Sequence, residues 1–129
     1  MLVLQHNCAT GSNVVEAVLQ TGKEMGADLV LMQEQRKIGT KDSTTSHPSY
    51  TFLKGGEESR VCTALAKTSR KRVVSRTDLA GRAEDYVQVL DITDKNLPGG
   101  FIRVVNVDDR NPQAAGNRRQ AHQANWTRL

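Results

Sequence analysis

Aromatic residues are scarce in this 129-residue chain: one Trp, two Tyr and two Phe, 4% of the total. Cysteine is scarcer still. Cys8 and Cys62 stand alone, too few for a disulfide framework and wrongly spaced for a zinc knuckle. Each sits beside a predicted strand, so buried thiols are expected. No apolar run approaches membrane-spanning length, and Met1–His6 is too short for a signal peptide. The expectation is a soluble intracellular protein with no membrane partner, the nucleus included among its settings. Nothing is collagen-like, disulfide-rich or wholly disordered in composition, and the length suits one domain with a sizeable core.

Acid is also missing from one region. Residues 110–129 hold Arg110, Arg118, Arg119 and Arg128 and no Asp or Glu. The other 14 basic residues face all 14 acidic ones in residues 1–109, so the net charge of +4 belongs to the tail. A basic tail attracts phosphate; a solvated helix face is the alternative reading.

In order, Leu2–His6 reads as a strand ended by Asn7, and residues 9–12 as a loop. Asn13 with Glu16 has the form of a capping box. Val14, Val15, Val18 and Leu19 recur at helical spacing, Met25 continues that face, and Gly26 suits a C-terminal stop. Asp28–Gln33 is a strand apolar on both faces. Strand, helix, strand implies two parallel strands joined by a crossover, which brings Asn7 and Glu34 to the same sheet edge. Residues 35–49 form a long polar loop leaving from Glu34. Short strands follow at 50–54, 60–66, 73–76, 86–92 and 101–107, separated by hairpin-like turns and therefore antiparallel. In the 86–92 strand Tyr86, Gln88 and Leu90 face one way, Val87, Val89 and Asp91 the other. Five basic residues between Lys67 and Arg76 read as a solvated turn, or as a nucleic-acid contact. A final helix is expected after Pro112, with Trp126 docking its end.

A carboxylate beside an amide at strand ends suits Mg²⁺, which takes oxygen ligands and keeps several waters. Such an ion polarises a phosphoryl oxygen and generates a hydroxide nucleophile.

Gln5-His6-Asn7-Cys8, Leu31-Met32-Gln33-Glu34 and Arg103-Val104-Val105-Asn106-Val107, in this order, resemble the endonuclease/exonuclease/phosphatase superfamily. With Arg76-Thr77-Asp78-Leu79 they are similar to the apurinic-type endonuclease domain of non-LTR (LINE-like) retrotransposons, particularly fungal ones. The resemblance covers nearly the whole chain as the N-terminal portion, residues 1–129, of such a domain. It implies an α/β fold, an incomplete four-layer α/β sandwich of the DNase I-like kind, here mostly one mixed sheet with flanking helices. It implies Mg²⁺-dependent hydrolysis of a DNA phosphodiester, with Glu34 and Asn7 at the metal and Asn111 at the phosphate.

The departures are specific. Ala9 replaces a second amide or carboxylate, Asp108 replaces a Tyr, and Gln35 replaces a Pro. The later Gly-Asp-x-Asn and Ser-Asp-His motifs do not occur, and His6, His47 and His122 lie in no Asp-His pair. Without those groups the 129 residues are expected to be inactive. A second reading is a non-catalytic nucleic-acid-binding remnant using Arg110, Arg118, Arg119 and the Lys67–Arg76 cluster. A third is a relic without function.

Overall fold

The structure, a computed structural model, describes residues 1–11, 13–34, 47–55 and 58–109, and the backbone of a strand at 125–128. Eight strands and two helices run in the order β1 (Leu2–Asn7), α1 (Val14–Met25), β2 (Leu29–Gln33), β3 (Tyr50–Lys54), β4 (Val61–Ala66), β5 (Arg72–Ser75), α2 (Thr77–Ala80), β6 (Val87–Thr93), β7 (Phe101–Val107) and β8 (Asn125–Arg128). They form two sheets. The larger has the order β3-β4-β2-β1-β8, the smaller β5-β6-β7.

The larger sheet is mixed. β1 and β2 are parallel, with Asn7 opposite Gln33, as a strand–helix–strand unit requires. β4 joins β2, β3 joins β4 and β8 joins β1, all antiparallel. The smaller sheet is antiparallel throughout. One mixed sheet was the expectation from sequence; the later strands instead make a sheet of their own. Hairpin turns specify which strands are neighbours, and the chain leaves the larger sheet at the 67–71 turn, so among the described strands β5, β6 and β7 pair with each other.

α1 covers one face of the larger sheet. Val15, Val18 and Leu19 pack with Leu2, Leu4, Cys8, Val30, Met32, Cys62 and Ala64. Gly22 permits the close approach: a Cβ there would lie 2.9 Å from Tyr50 Oη and 3.0 Å from Val30 Cγ2. Gly26 ends the helix in the left-handed conformation (φ 72°), its N–H and that of Ala27 closing on Lys23 and Gly22 carbonyls. Two expectations for α1 are corrected. Asn13 makes no side-chain cap bond, so the capping box does not form. Met25 is half exposed and does not continue the buried face.

The other face of the larger sheet packs on the smaller one. Val3, Leu29, Leu31 and Ile92 form this second core, with Val73, Ile102 and Val104 beside them. Thus α1, the larger sheet and the smaller sheet stack as three layers. The outer face of the smaller sheet leaves Val74, Phe101, Val105 and Val107 about half exposed. The expected helix after Pro112 lies outside the described residues. Trp126, expected to dock the end of that helix, lies in β8, which extends the larger sheet beside β1. Among the described residues no helix is long and apolar enough to cross a membrane.

Candidate functional site

The space between the sheets changes character along its length. On β2 the residues facing the smaller sheet read Leu29, Leu31, Gln33; on β7 the facing residues read Ile102, Val104, Asn106. Both series pass from hydrocarbon to amide, and carboxylates follow at Glu34 and Asp108.

The amides form a buried network. Gln33 Nε2 donates to Asn106 Oδ1 at 2.6 Å. Asn106 Nδ2 reaches Met32 O at 3.3 Å, Cys62 O at 3.1 Å and Thr63 Oγ1 at 3.4 Å. Thr63 Oγ1 donates to Gln88 Oε1 at 2.7 Å, and Gln88 Nε2 donates to Leu53 O. Gln5 Nε2 donates to Gln33 Oε1 from β1. Buried amides are tolerated only when satisfied in this way. The network fixes the distance and register between sheets just below the charged edge.

At that edge β1 and β2 end in strained turns. Ala9 (φ 48°), Thr10 (φ 56°) and Glu34 (φ 50°) are the non-glycine residues with positive φ among those described. Each left-handed residue costs about 1–3 kcal/mol, so neighbouring bonds must hold them. Cys8 N donates to Gln33 O and Thr10 N to Glu34 O, both at 2.7 Å, and Glu34 N donates to Arg60 O at 2.9 Å. Asn7 Oδ1 accepts from Ala9 N at 2.9 Å, closing an Asx turn. The amide oxygen has a second lone pair available by valence.

Glu34 is buried, and Arg60 Nη2 donates to its Oε1 at 2.8 Å. The same guanidinium donates from Nε to Asp108 Oδ2 at 2.8 Å. Arg60 N is bonded to Asp85 O and Asp108 N to Tyr86 O. Three loops thereby meet at one two-armed arginine. The Glu34 carboxylate also acts on Cys8: burial first, and this negative charge second, push the Cys8 thiol up to about 12. Cys62 is likewise pushed up to about 12, chiefly by burial. Both cysteines are free, buried and neutral, as the sequence implied.

Of the residues singled out from sequence, Asn7 and Glu34 do stand at adjacent strand ends. His6 faces α1 instead, lining a cavity of about 460 Å³ with Leu4, Asn13, Val14, Ala17, Val18 and Thr21; neither Glu34 nor Arg60 borders it. Asn111, the 35–46 segment and the arginines of the tail lie outside the described side chains. Within the Lys67–Arg76 cluster, Lys71 pairs with Asp28 and Asp94, and Arg76 with Asp78 and Asp91, while Lys67, Arg70 and Arg72 are exposed. Arg60, Asp108 and Asn106 had not been assigned a place at the site. The alternation Ile102, Val104, Asn106, Asp108 was a readable signal that β7 turns polar on its inner face.

Among the described residues no group of three or more His, Cys, Asp or Glu could enclose a metal. The donors present are the Glu34 carboxylate, the Asn7 amide oxygen and, across Arg60, the Asp108 carboxylate. This all-oxygen set fits an ion of the Mg²⁺ kind held by one or two carboxylates and waters, not a protein cage.

No protein-family model and no curated protein matches the chain. Among solved structures it is similar to the endonuclease domain of TRAS1, a telomere-specific non-LTR retrotransposon. The TM-score is 0.64 at 13% sequence identity, over 92% of this chain and 52% of that one. The likeness shows the fold, a mixed α/β arrangement of two sheets shared with that endonuclease domain. The chain spans about half the length of the structure it matches.

Proposed function

We propose that these residues form the N-terminal half of a metal-dependent phosphodiesterase domain of the retrotransposon-endonuclease kind, with DNA as the substrate class and a nuclear setting. The observation that carries this reading is Glu34: a buried carboxylate held in a left-handed turn at the ends of parallel strands, in a fold similar to an endonuclease domain. Glu34 would hold Mg²⁺ with Asn7 assisting, and Asn111 would meet the phosphate. When bound, the ion would polarise a phosphoryl oxygen and lower the pKa of a bound water. The chain's own part is to fix the carboxylate, which the Thr10, Arg60 and Gln33 bonds support. The four-layer sandwich belongs to the same reading: the half-exposed apolar outer face of the smaller sheet is what a fourth layer would cover.

The 129 residues contain no Gly-Asp-x-Asn and no Ser-Asp-His, so the groups that would orient water and phosphate are not supplied by them. The expected outcome of a supercoiled-plasmid nicking assay with Mg²⁺ is therefore no nicking above background. Robust EDTA-sensitive nicking, abolished by Glu34→Ala, would overturn the inactivity. The exposed Lys67, Arg70 and Arg72 favour a second reading, a non-catalytic nucleic-acid-binding remnant. Its mark is salt-dependent DNA binding that survives Glu34→Ala.

A further inference from the structure

The reading of Glu34 as a cation ligand uses Arg60 only to hold the carboxylate in place, and the inference below rests on that reading. Arg60 spans the two carboxylates, Nη2 to Glu34 and Nε to Asp108, each at 2.8 Å. Glu34 and Asp108 side chains are 8% and 1% exposed, whereas Arg60 is 35% exposed. The backbones of all three residues are tied, Glu34 N to Arg60 O, Arg60 N to Asp85 O and Asp108 N to Tyr86 O. The guanidinium differs from the carboxylates in sitting on a long stem partly in solvent. A divalent ion approaching Glu34 Oε1 meets a positive charge already bonded to that oxygen. The guanidinium thus occupies, in charge and in place, the position such an ion needs.

We propose that Arg60 is the resident counter-ion of Glu34, which a divalent cation must displace, and that Asp108 retains the guanidinium when it is displaced. Asp108 makes this exchange possible because it bonds Nε independently of the Nη2 that faces Glu34. The cation then takes over Glu34 while Arg60 remains neutralised by Asp108, and no buried charge is left uncompensated. Arg60 is on this account a positioning residue, acting through Glu34, and its presence keeps divalent binding weak.

Calorimetric titration of the full chain with Mn²⁺ tests the exchange. Arg60→Gln removes the competing charge and should tighten Mn²⁺ binding about tenfold or more. Asp108→Asn removes the place to which the guanidinium retreats and should weaken binding several-fold. Opposite signs are the signature, since a purely structural role for the bridge would make both variants, one lacking two ion pairs and the other lacking one, move in the same direction. Equal or weaker binding by Arg60→Gln, or equal or tighter binding by Asp108→Asn, overturns the proposal. If circular dichroism shows that Arg60→Gln does not fold, Asp108→Asn alone decides. Glu34→Gln separates the two levels. If it abolishes Mn²⁺ binding while Arg60→Gln matches the wild type, Glu34 is the ligand and the exchange is wrong. If neither wild type nor Arg60→Gln binds Mn²⁺, the ligand reading and the exchange fall together.

Discussion

Asn106 shows how much one side chain can set. It is 1% exposed and serves two sheets at once: its amide group donates to Met32 O, Cys62 O and Thr63 Oγ1 and accepts from Gln33. Asn106→Leu would keep the volume and strand the partners. Leaving a buried polar group unsatisfied costs about 1–3 kcal/mol each, so a loss of about 3 kcal/mol or more is expected in urea unfolding. A loss under about 1 kcal/mol would mean that the network does not hold the sheets. Glu34 and Asn7 were legible in sequence because a strand–helix–strand unit brings strand ends together by topology. Arg60 and Asp108 were not, because their bonds span 26 and 48 positions, the first across paired strands and the second between the two sheets, and leave no periodic trace. Asp108 had been noted as a replaced Tyr; the structure gives it a partner.

At the scale of the element, the β5-β6-β7 sheet depends on a charged junction on its outer face. Asp91 on β6 accepts from Arg103 on β7 at 2.7 and 3.1 Å and from Arg76, just past β5, at 2.9 Å. Arg103 first and Arg76 second hold the Asp91 carboxyl below its ordinary range. A lowered folded-state value stabilises the fold above the unfolded value, near about 4. That stabilisation is lost as pH falls through the lower folded value. Asp91→Asn should therefore lower Tm at pH 7, and the gap from wild type should close as pH drops below about 4. A gap that stays constant down to pH 2 would assign the effect to shape rather than charge. Strands β3 and β7 were bounded in sequence as they occur, because flanking Gly and Pro turns mark them. Their assignment to separate sheets was not readable, since a turn records adjacency and not which layer a hairpin joins.

At the scale of the molecule, the three layers described leave the outer face of the smaller sheet half exposed among the described residues. Val105 and Val107 are 52% and 50% exposed on β7, with Phe101 and Val74 on the same face. Exposed apolar faces of this kind promote association. The double substitution of Val105 and Val107 by Lys should reduce light scattering at high concentration while shifting Tm little, because both side chains are half in water already. Unchanged scattering would show that this face does not drive association. The larger sheet carries a consequence of another kind. β1 is paired on one side with residues 29–33 and on the other with residues 125–128, Leu2 lying opposite Arg128. On the ribosome the first pairing forms early, whereas the second waits until residue 128 has emerged. Between those two points the nascent chain offers one open strand edge to any extended segment that reaches it. Translation speed between residues 33 and 128 therefore sets how long that edge stays vulnerable to capture by the wrong strand.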